Sequence, residues 1–192
     1  MKILYTLGLI LVISFGNLQI NFERKLSNAT IGLTKSKVTY DGRYLSIPYP
    51  NGDVPATQGV CTDVIIRAYR KLGIDLQKEV HEDMKSNFSK YPKTWGLKKT
   101  DTNIDHRRVP NLETFFTRKG QKLVLTTNAS DYKTGDIVTW MINDKLPHIG
   151  IVTHLKSSDG KRPLMVHNIG SGQVLEDCLF SYKIVGHYRY KK

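Results

Sequence analysis

A chain of 192 residues that is 40% hydrophobic and 24% charged has the composition of a folded globular protein and the length of one domain with a sizeable core, which excludes a disordered or fibrous chain. Its 29 Lys and Arg outnumber 17 Asp and Glu, for a formal charge of +12, and such a surface is drawn to polyanions. The sequence holds no basic stretch interleaved with aromatics, no zinc-finger spacing and no phosphate loop ending in lysine, so nucleic acid is not an expected partner.

Lys2 precedes an apolar run, ILYTLGLILVISF, over residues 3–15. The run is short for a membrane span, which needs roughly 20 residues, and its flank suits a secretory leader. Residues 1–16 are therefore expected to form a signal peptide or N-terminal anchor, and the protein to be exported to the periplasm or cell envelope. Residues 17–36 are polar without a clear period and read as a linker into a single domain over 37–192.

Residues 40–59, YDGRYLSIPYPNGDVPATQG, are rich in Gly, Pro, Asn and Asp and read as a long loop feeding a helix. In the next stretch, GVCTDVIIRAYRKLG, Val60, Val64, Ile65, Ala68 and Leu72 recur at helical spacing. One apolar stripe then faces a core, Arg67, Arg70 and Lys71 face water, and Gly73 stops the helix. Cys61 falls in the first turn, where the helix dipole and partnerless N–H groups lower a thiol's pKa and favour the nucleophilic thiolate. Two other readings stand beside that one: a small buried apolar residue, or a disulfide with Cys178, the only other cysteine.

A second helix opens at Asp75, with Leu76, Val80 and Met84 on one side, and ends before Tyr91 and Pro92. Residues 95–110 lack a period and contain IDHRRVP, where Arg107 and Arg108 stand beside His106. Such a cluster either clamps a substrate carboxylate or forms internal ion pairs that pin the loop. Asn111 is expected to cap a short helix closed by Gly120. Runs over 121–127, 136–142, 148–154, 164–169 and 183–190, rich in Val, Ile, Thr and aromatics, read as antiparallel strands. Helices first and strands afterwards give an α+β fold, the helices packed on one face of an antiparallel sheet of about five strands.

His148 opens one of these strands and His167 lies on its expected neighbour; adjacent strands run about 4.8 Å apart, so the two rings meet if the register allows. Gly150, on the face of His148, leaves room for close approach by another backbone. His154 lies about 20 Å along the same strand, too far to join them, while His81 and His187 read as surface or structural. Cys61, His148 and His167 are zinc-type ligands, but no short CxxC or HExxH pair accompanies them, so no metal and no cofactor is expected.

The ordered set of a cysteine at a helix start, GDIVTW, PHIGIVTH and MVHNIGSG resembles the NlpC/P60 branch of papain-like cysteine peptidases and amidases. More narrowly, YPNGDVPATQGVCTDV, IDHRRVPNL, PHIGIVTH and GHYRY are similar to the DUF1287 family, over nearly everything from Val38 onward. The resemblance implies a papain-like NlpC/P60-type fold in which Cys61 is the nucleophile, His148 its base and His167 the group that holds the base, with Asn168 as fallback. It also implies a pocket-lining tyrosine upstream of the cysteine, matched by Tyr49. NlpC/P60 enzymes typically carry Asp-Cys-Ser-Gly at the nucleophile, whereas Val60, Thr62 and Asp63 flank Cys61 here. Tyr49, Asp63, His106, Arg107, Arg108 and Asn168 make up the expected substrate-binding set. The implied substrates are peptide stems of peptidoglycan, in an envelope whose anionic polymers suit the basic surface. The expectation is an exported, monomeric cysteine amidase or endopeptidase; the alternative is a non-catalytic module of the same fold that binds anionic wall polymer.

Overall fold

The computed structural model describes residues 21–192, so the expected signal peptide or anchor lies outside the described residues. Where a linker is expected, there is a helix: α1, Phe22–Leu33, capped by Asn21, whose side chain accepts the Arg24 amide at 2.9 Å. Its buried face carries Leu26, Ser27 and Thr30. Two of the three are hydroxyl residues, which hides the helical period from a hydrophobicity pattern. Each hydroxyl is satisfied: Thr30 donates to the Leu26 carbonyl at 2.7 Å, and Ser27 bonds the His154 ring at 2.8 Å while accepting the His154 amide at 3.0 Å.

Three further helices follow: α2, Cys61–Arg70; α3, Leu76–Ser86; and α4, Val109–Lys119. Gly73 lies beyond α2 with φ at 80°, a conformation that glycine adopts without a Cβ penalty. Asp75 caps α3 through the Gln77 amide at 3.1 Å. The expected cap of the last helix is corrected. Pro110 sits in the first turn of α4, where a missing N–H costs nothing, and Asn111 lies inside the helix, donating to the Asp105 carbonyl at 3.0 Å.

β1, Thr39–Tyr40, and β2, Gln58–Gly59, form a short parallel pair. The main sheet has six antiparallel strands: β3, Gln121–Lys122; β4, Ile137–Ile142; β5, Leu146–Lys156; β6, Pro163–His167; β7, Val174–Glu176; and β8, Lys183–Arg189, in the order β3-β8-β4-β5-β6-β7. The fold is thus α+β. β7, a three-residue VLE, is too short for a periodic signal, and the run expected over 121–127 pairs only at its start.

Strand alternation separates two cores. On one face Ile137, Ile149 and Ile151 meet Ile65, Ala68 and Tyr69 of α2, Leu26 of α1 and Leu112, Phe115 and Phe116 of α4. On the other, Val138, Trp140, Val152 and Met165 are covered by Tyr132, Cys178 and Leu179. Each fully buried large side chain contributes about 1.5–3 kcal/mol. Arg67, expected to face water, is buried, because its guanidinium pairs with Asp53 and donates to the carbonyls of Val54, Pro55 and Gln58. It ties the long loop to α2. Among the described residues no helix is long and apolar enough to cross a membrane.

Candidate active site

Asp63 fixes the start of α2. Its carboxylate accepts the Val60 amide at 2.7 Å and a two-pronged bond from Arg107 at 3.0 Å on each oxygen. Both side chains are almost wholly buried. Thr62 adds a bond from its hydroxyl to the Arg107 carbonyl at 3.1 Å. Of the two readings of IDHRRVP, internal ion pairs are therefore the one found: Arg107 is engaged by Asp63 and by the Arg43 carbonyl at 3.3 Å, and does not offer a free clamp. His106 is buried too, pulled down to about 3 by burial and by the positive Arg107 and Arg70 beside it. Arg108 lies over the face of Trp95, 4.9 Å from the ring centre.

Cys61 is a free thiol, as is Cys178, so the disulfide alternative is not formed. The amide N–H groups of Ile149, Thr62 and Cys61 itself are directed at its sulfur. The expected depressed thiol is nevertheless overturned. Burial pushes Cys61 up to about 12, the Asp63 carboxylate adds to the rise, and the three amides offset only part of it. At rest the group is a protonated thiol.

Tyr49, the expected pocket tyrosine, packs its ring edge-on against His81 of α3, with centroids 5.3 Å apart. The tyrosine beside the thiol is Tyr40 instead. The β1–β2 pairing sets Tyr40 across from Gly59, two residues before Cys61, and its phenol is raised by burial and by the charge that Cys61 and Asp63 would present. It remains 44% exposed at the rim. The resemblance matches Tyr49, and nothing local in the sequence reveals the two-residue strand that brings Tyr40 back.

His148 and His167 do meet. The β5–β6 register opposes Gly150 to His167, and His148 Nε2 lies 2.9 Å from His167 Nδ1. Gly150 permits this: a Cβ there would stand 3.0 Å from the Val166 carbonyl oxygen, 3.1 Å from Trp140 and 3.2 Å from the His167 side chain. Trp140, directly across from His148 on β4, stacks on its ring at 5.7 Å. On its far side His167 Nε2 bonds Glu176 of β7 at 3.1 Å. A carboxylate only accepts, so His167 carries its proton on Nε2 and accepts at Nδ1. His148 then donates from Nε2, and among the described residues its Nδ1 has no hydrogen-bond partner. Burial and the neighbouring His167 pull His148 down to about 3, and burial lowers His167 despite Glu176, so both rings are neutral.

Glu176 is the member of this chain that sequence reading missed, because its three-residue strand leaves no periodic signal. Asn168 takes no part in holding His148. Its amide donates to the Gly59 carbonyl at 3.3 Å and its oxygen accepts the Gly170 amide at 3.1 Å, tying the end of β6 to the entry of α2. The structure thus joins His148, His167 and Glu176 in one line of hydrogen bonds. It brings Cys61 to the backbone of the residue after His148, leaves Tyr49 against His81, Arg107 in an internal ion pair and Arg108 over Trp95, and buries His106 with no partner for its Nδ1 among the described residues. The site thus holds a neutral imidazole at the end of a line of hydrogen bonds and a buried thiol beside the Ile149 amide, and the described residues show no hydrogen bond between the two.

A crystal structure of an N-acetylmuramoyl-L-alanine amidase from Bacteroides uniformis superposes with a TM-score of 0.53 at 15% identity, covering 88% of this chain and 99% of that one. The likeness is one of fold. An uncharacterized protein of Escherichia coli K12, YijF, is 54% identical over 155 residues, 81% of this chain and 75% of its own length. The family described as "Domain of unknown function (DUF1287)" matches residues 27–190. That match takes in the C-terminal half of α1, the Cys61 helix and every strand of the sheet, and the chain belongs to the DUF1287 family.

Proposed function

We propose that the chain is an exported cysteine amidase or endopeptidase, with a papain-like NlpC/P60-type fold, that hydrolyses amide bonds in peptidoglycan stem peptides. The observation that carries this reading is the line of hydrogen bonds from Glu176 through His167 to His148, whose neighbour in sequence, Ile149, has its amide beside the Cys61 sulfur. The apolar run over residues 3–15 and the fold shared with an amidase named for a wall substrate support the same compartment and substrate class.

In the mechanism, His148 Nδ1 takes the thiol proton as the sulfur attacks the amide carbonyl. Because Cys61 is protonated at rest, proton removal and attack are coupled rather than separated by a standing thiolate. First-turn N–H groups of α2 stabilise the oxyanion. His148 then protonates the leaving amine, and water, activated by the same nitrogen, releases the acyl group. His167 and Glu176 hold the working tautomer. Tyr40 lines the approach.

One observation favours the alternative, a wall-binding module without activity: Cys61 and His148 are only 5% and 3% exposed. Incubation of the purified protein with cell-wall sacculi, followed by mass spectrometry of the soluble fraction, separates the two. Released stem fragments support hydrolysis; binding to sacculi with no release sinks it.

A further inference from the structure

His167 has a second neighbour beyond Glu176. Cys178 follows Glu176 by two residues, and one ligand atom each from His167, Glu176 and Cys178 all lie within 4.8 Å of one another. Zinc binds nitrogen, oxygen and sulfur at about 2.0–2.3 Å in a tetrahedron, so its ligands stand roughly 3.3–3.8 Å from one another. The His167 Nε2 to Glu176 distance, 3.1 Å, is already close to that spacing. The mixed nitrogen, carboxylate and thiolate set suits zinc-like ions rather than magnesium or calcium. His167 and Cys178 are buried, while the Glu176 side chain is 48% exposed. Glu176 therefore offers an ion a way in from solvent and leaves room for water as a fourth ligand.

We propose that His167 Nε2, Glu176 and Cys178 Sγ form a binding site for Zn2+ or a similar thiol-seeking divalent ion, and that the bound ion withholds the base from Cys61. The second half rests on the reading of Cys61 and His148 as nucleophile and base. An ion on His167 Nε2 needs the lone pair that now carries the proton shared with Glu176. The His167 proton must then sit on Nδ1, where it reverses the hydrogen bond to His148: His148 Nε2 accepts, and His148 Nδ1 carries the proton. No lone pair is left on His148 Nδ1 to take the thiol proton. The protons balance. One passes from His148 Nε2 to His167 Nδ1, one leaves His167 Nε2 for water, one is taken from water by His148 Nδ1, and the Cys178 thiol releases one on ligation, for a net release of one.

The test uses the full chain under reducing conditions, with Co2+ as the spectroscopic probe and Zn2+ as competitor. In Cys61→Ala protein, Co2+ should give a thiolate-to-cobalt charge-transfer band that Zn2+ abolishes. Cys178→Ser should remove the band, and Glu176→Gln should weaken Zn2+ binding by about tenfold or more. Nitrogen-15 spectra of the imidazoles should show the His148 proton moving from Nε2 to Nδ1 as Zn2+ is added. Zn2+ should also slow stem cleavage by the wild type and spare Cys178→Ser. No band, or a band that survives Cys178→Ser and disappears with Cys61→Ala, overturns the site; binding without the tautomer change overturns the withheld base. The band and the nitrogen spectra need no turnover, so a chain that binds Zn2+ yet cleaves nothing indicts the hydrolase reading and not the metal site.

Discussion

His148 Nε2 and His167 Nδ1 share a hydrogen bond of 2.9 Å, and Glu176, 3.1 Å from the other nitrogen of His167, decides which way it runs. Two neutral rings with no carboxylate beside them could exchange donor and acceptor. Here the acceptor-only oxygen fixes both tautomers at once. His148→Ala should lower kcat by about 10²- to 10⁴-fold, the usual share of a positioned acid–base group. Glu176→Gln should cost less than His148→Ala, because its side chain is half exposed and water can replace it. Steady-state kinetics on a defined stem peptide checks the order; equal losses at both positions would contradict it.

Gly150 sets how closely β6 approaches. Gly150→Ala adds a methyl 3.0 Å from the Val166 carbonyl oxygen and 3.1 Å from the Trp140 ring, and neither backbone nor a buried indole yields cheaply. The expected stability loss is about 1–3 kcal/mol, the range for overpacking a filled core. Activity should fall further than the folded fraction does, since His167 must move. Urea unfolding and kinetics on the same preparation read both effects.

The buried pair of Asp63 and Arg107 joins the first turn of α2 to the IDHRRVP loop. Asp63→Asn leaves a guanidinium buried without its counter-charge, at a cost of about 3–5 kcal/mol. Replacing both residues with apolar side chains should recover much of that loss, because two desolvated charges contribute little net stability. A double-mutant cycle by thermal denaturation measures the coupling, and additive losses would show that the two groups act independently.

His106 makes stability fall in acid. Its folded value, about 3, lies below the usual 6.5 because burial and the charges of Arg107 and Arg70 disfavour the imidazolium, with His81 adding to them and Asp53 opposing. The unfolded chain therefore takes up the proton first. Stability from this residue is complete above pH 6.5 and is lost as pH falls from there toward 3, with a slope of about 1.4 kcal/mol per pH unit for one proton. Urea midpoints at pH 7 and pH 5 should differ in the wild type, and the difference should shrink in His106→Gln, the remainder coming from His148 and His167, which are lowered in the same direction; an unchanged pH dependence in the variant would refute the assignment.

Much of this was legible in the chain itself. The α2 helix, the α+β order and the meeting of His148 with His167 follow from periodicity and strand spacing, because buried faces repeat. What stayed hidden has physical causes. Ser27 and Thr30 occupy the buried face of α1 with hydroxyls, so the helix reads as linker. Tyr40 and Glu176 reach the site through strands of two and three residues, too short to carry a period. The thiol of Cys61 was misjudged because a helix N-terminus favours a thiolate locally, whereas burial, a property of the whole fold, outweighs it.

The most direct test of the account is the digestion of a defined muropeptide by wild type, Cys61→Ala and Cys61→Ser, with products identified by mass spectrometry and folding checked by thermal denaturation. The account predicts one new amine terminus from the wild type, none from Cys61→Ala, little or none from Cys61→Ser, and melting temperatures close to one another. Cleavage by Cys61→Ala at the wild-type rate would contradict it.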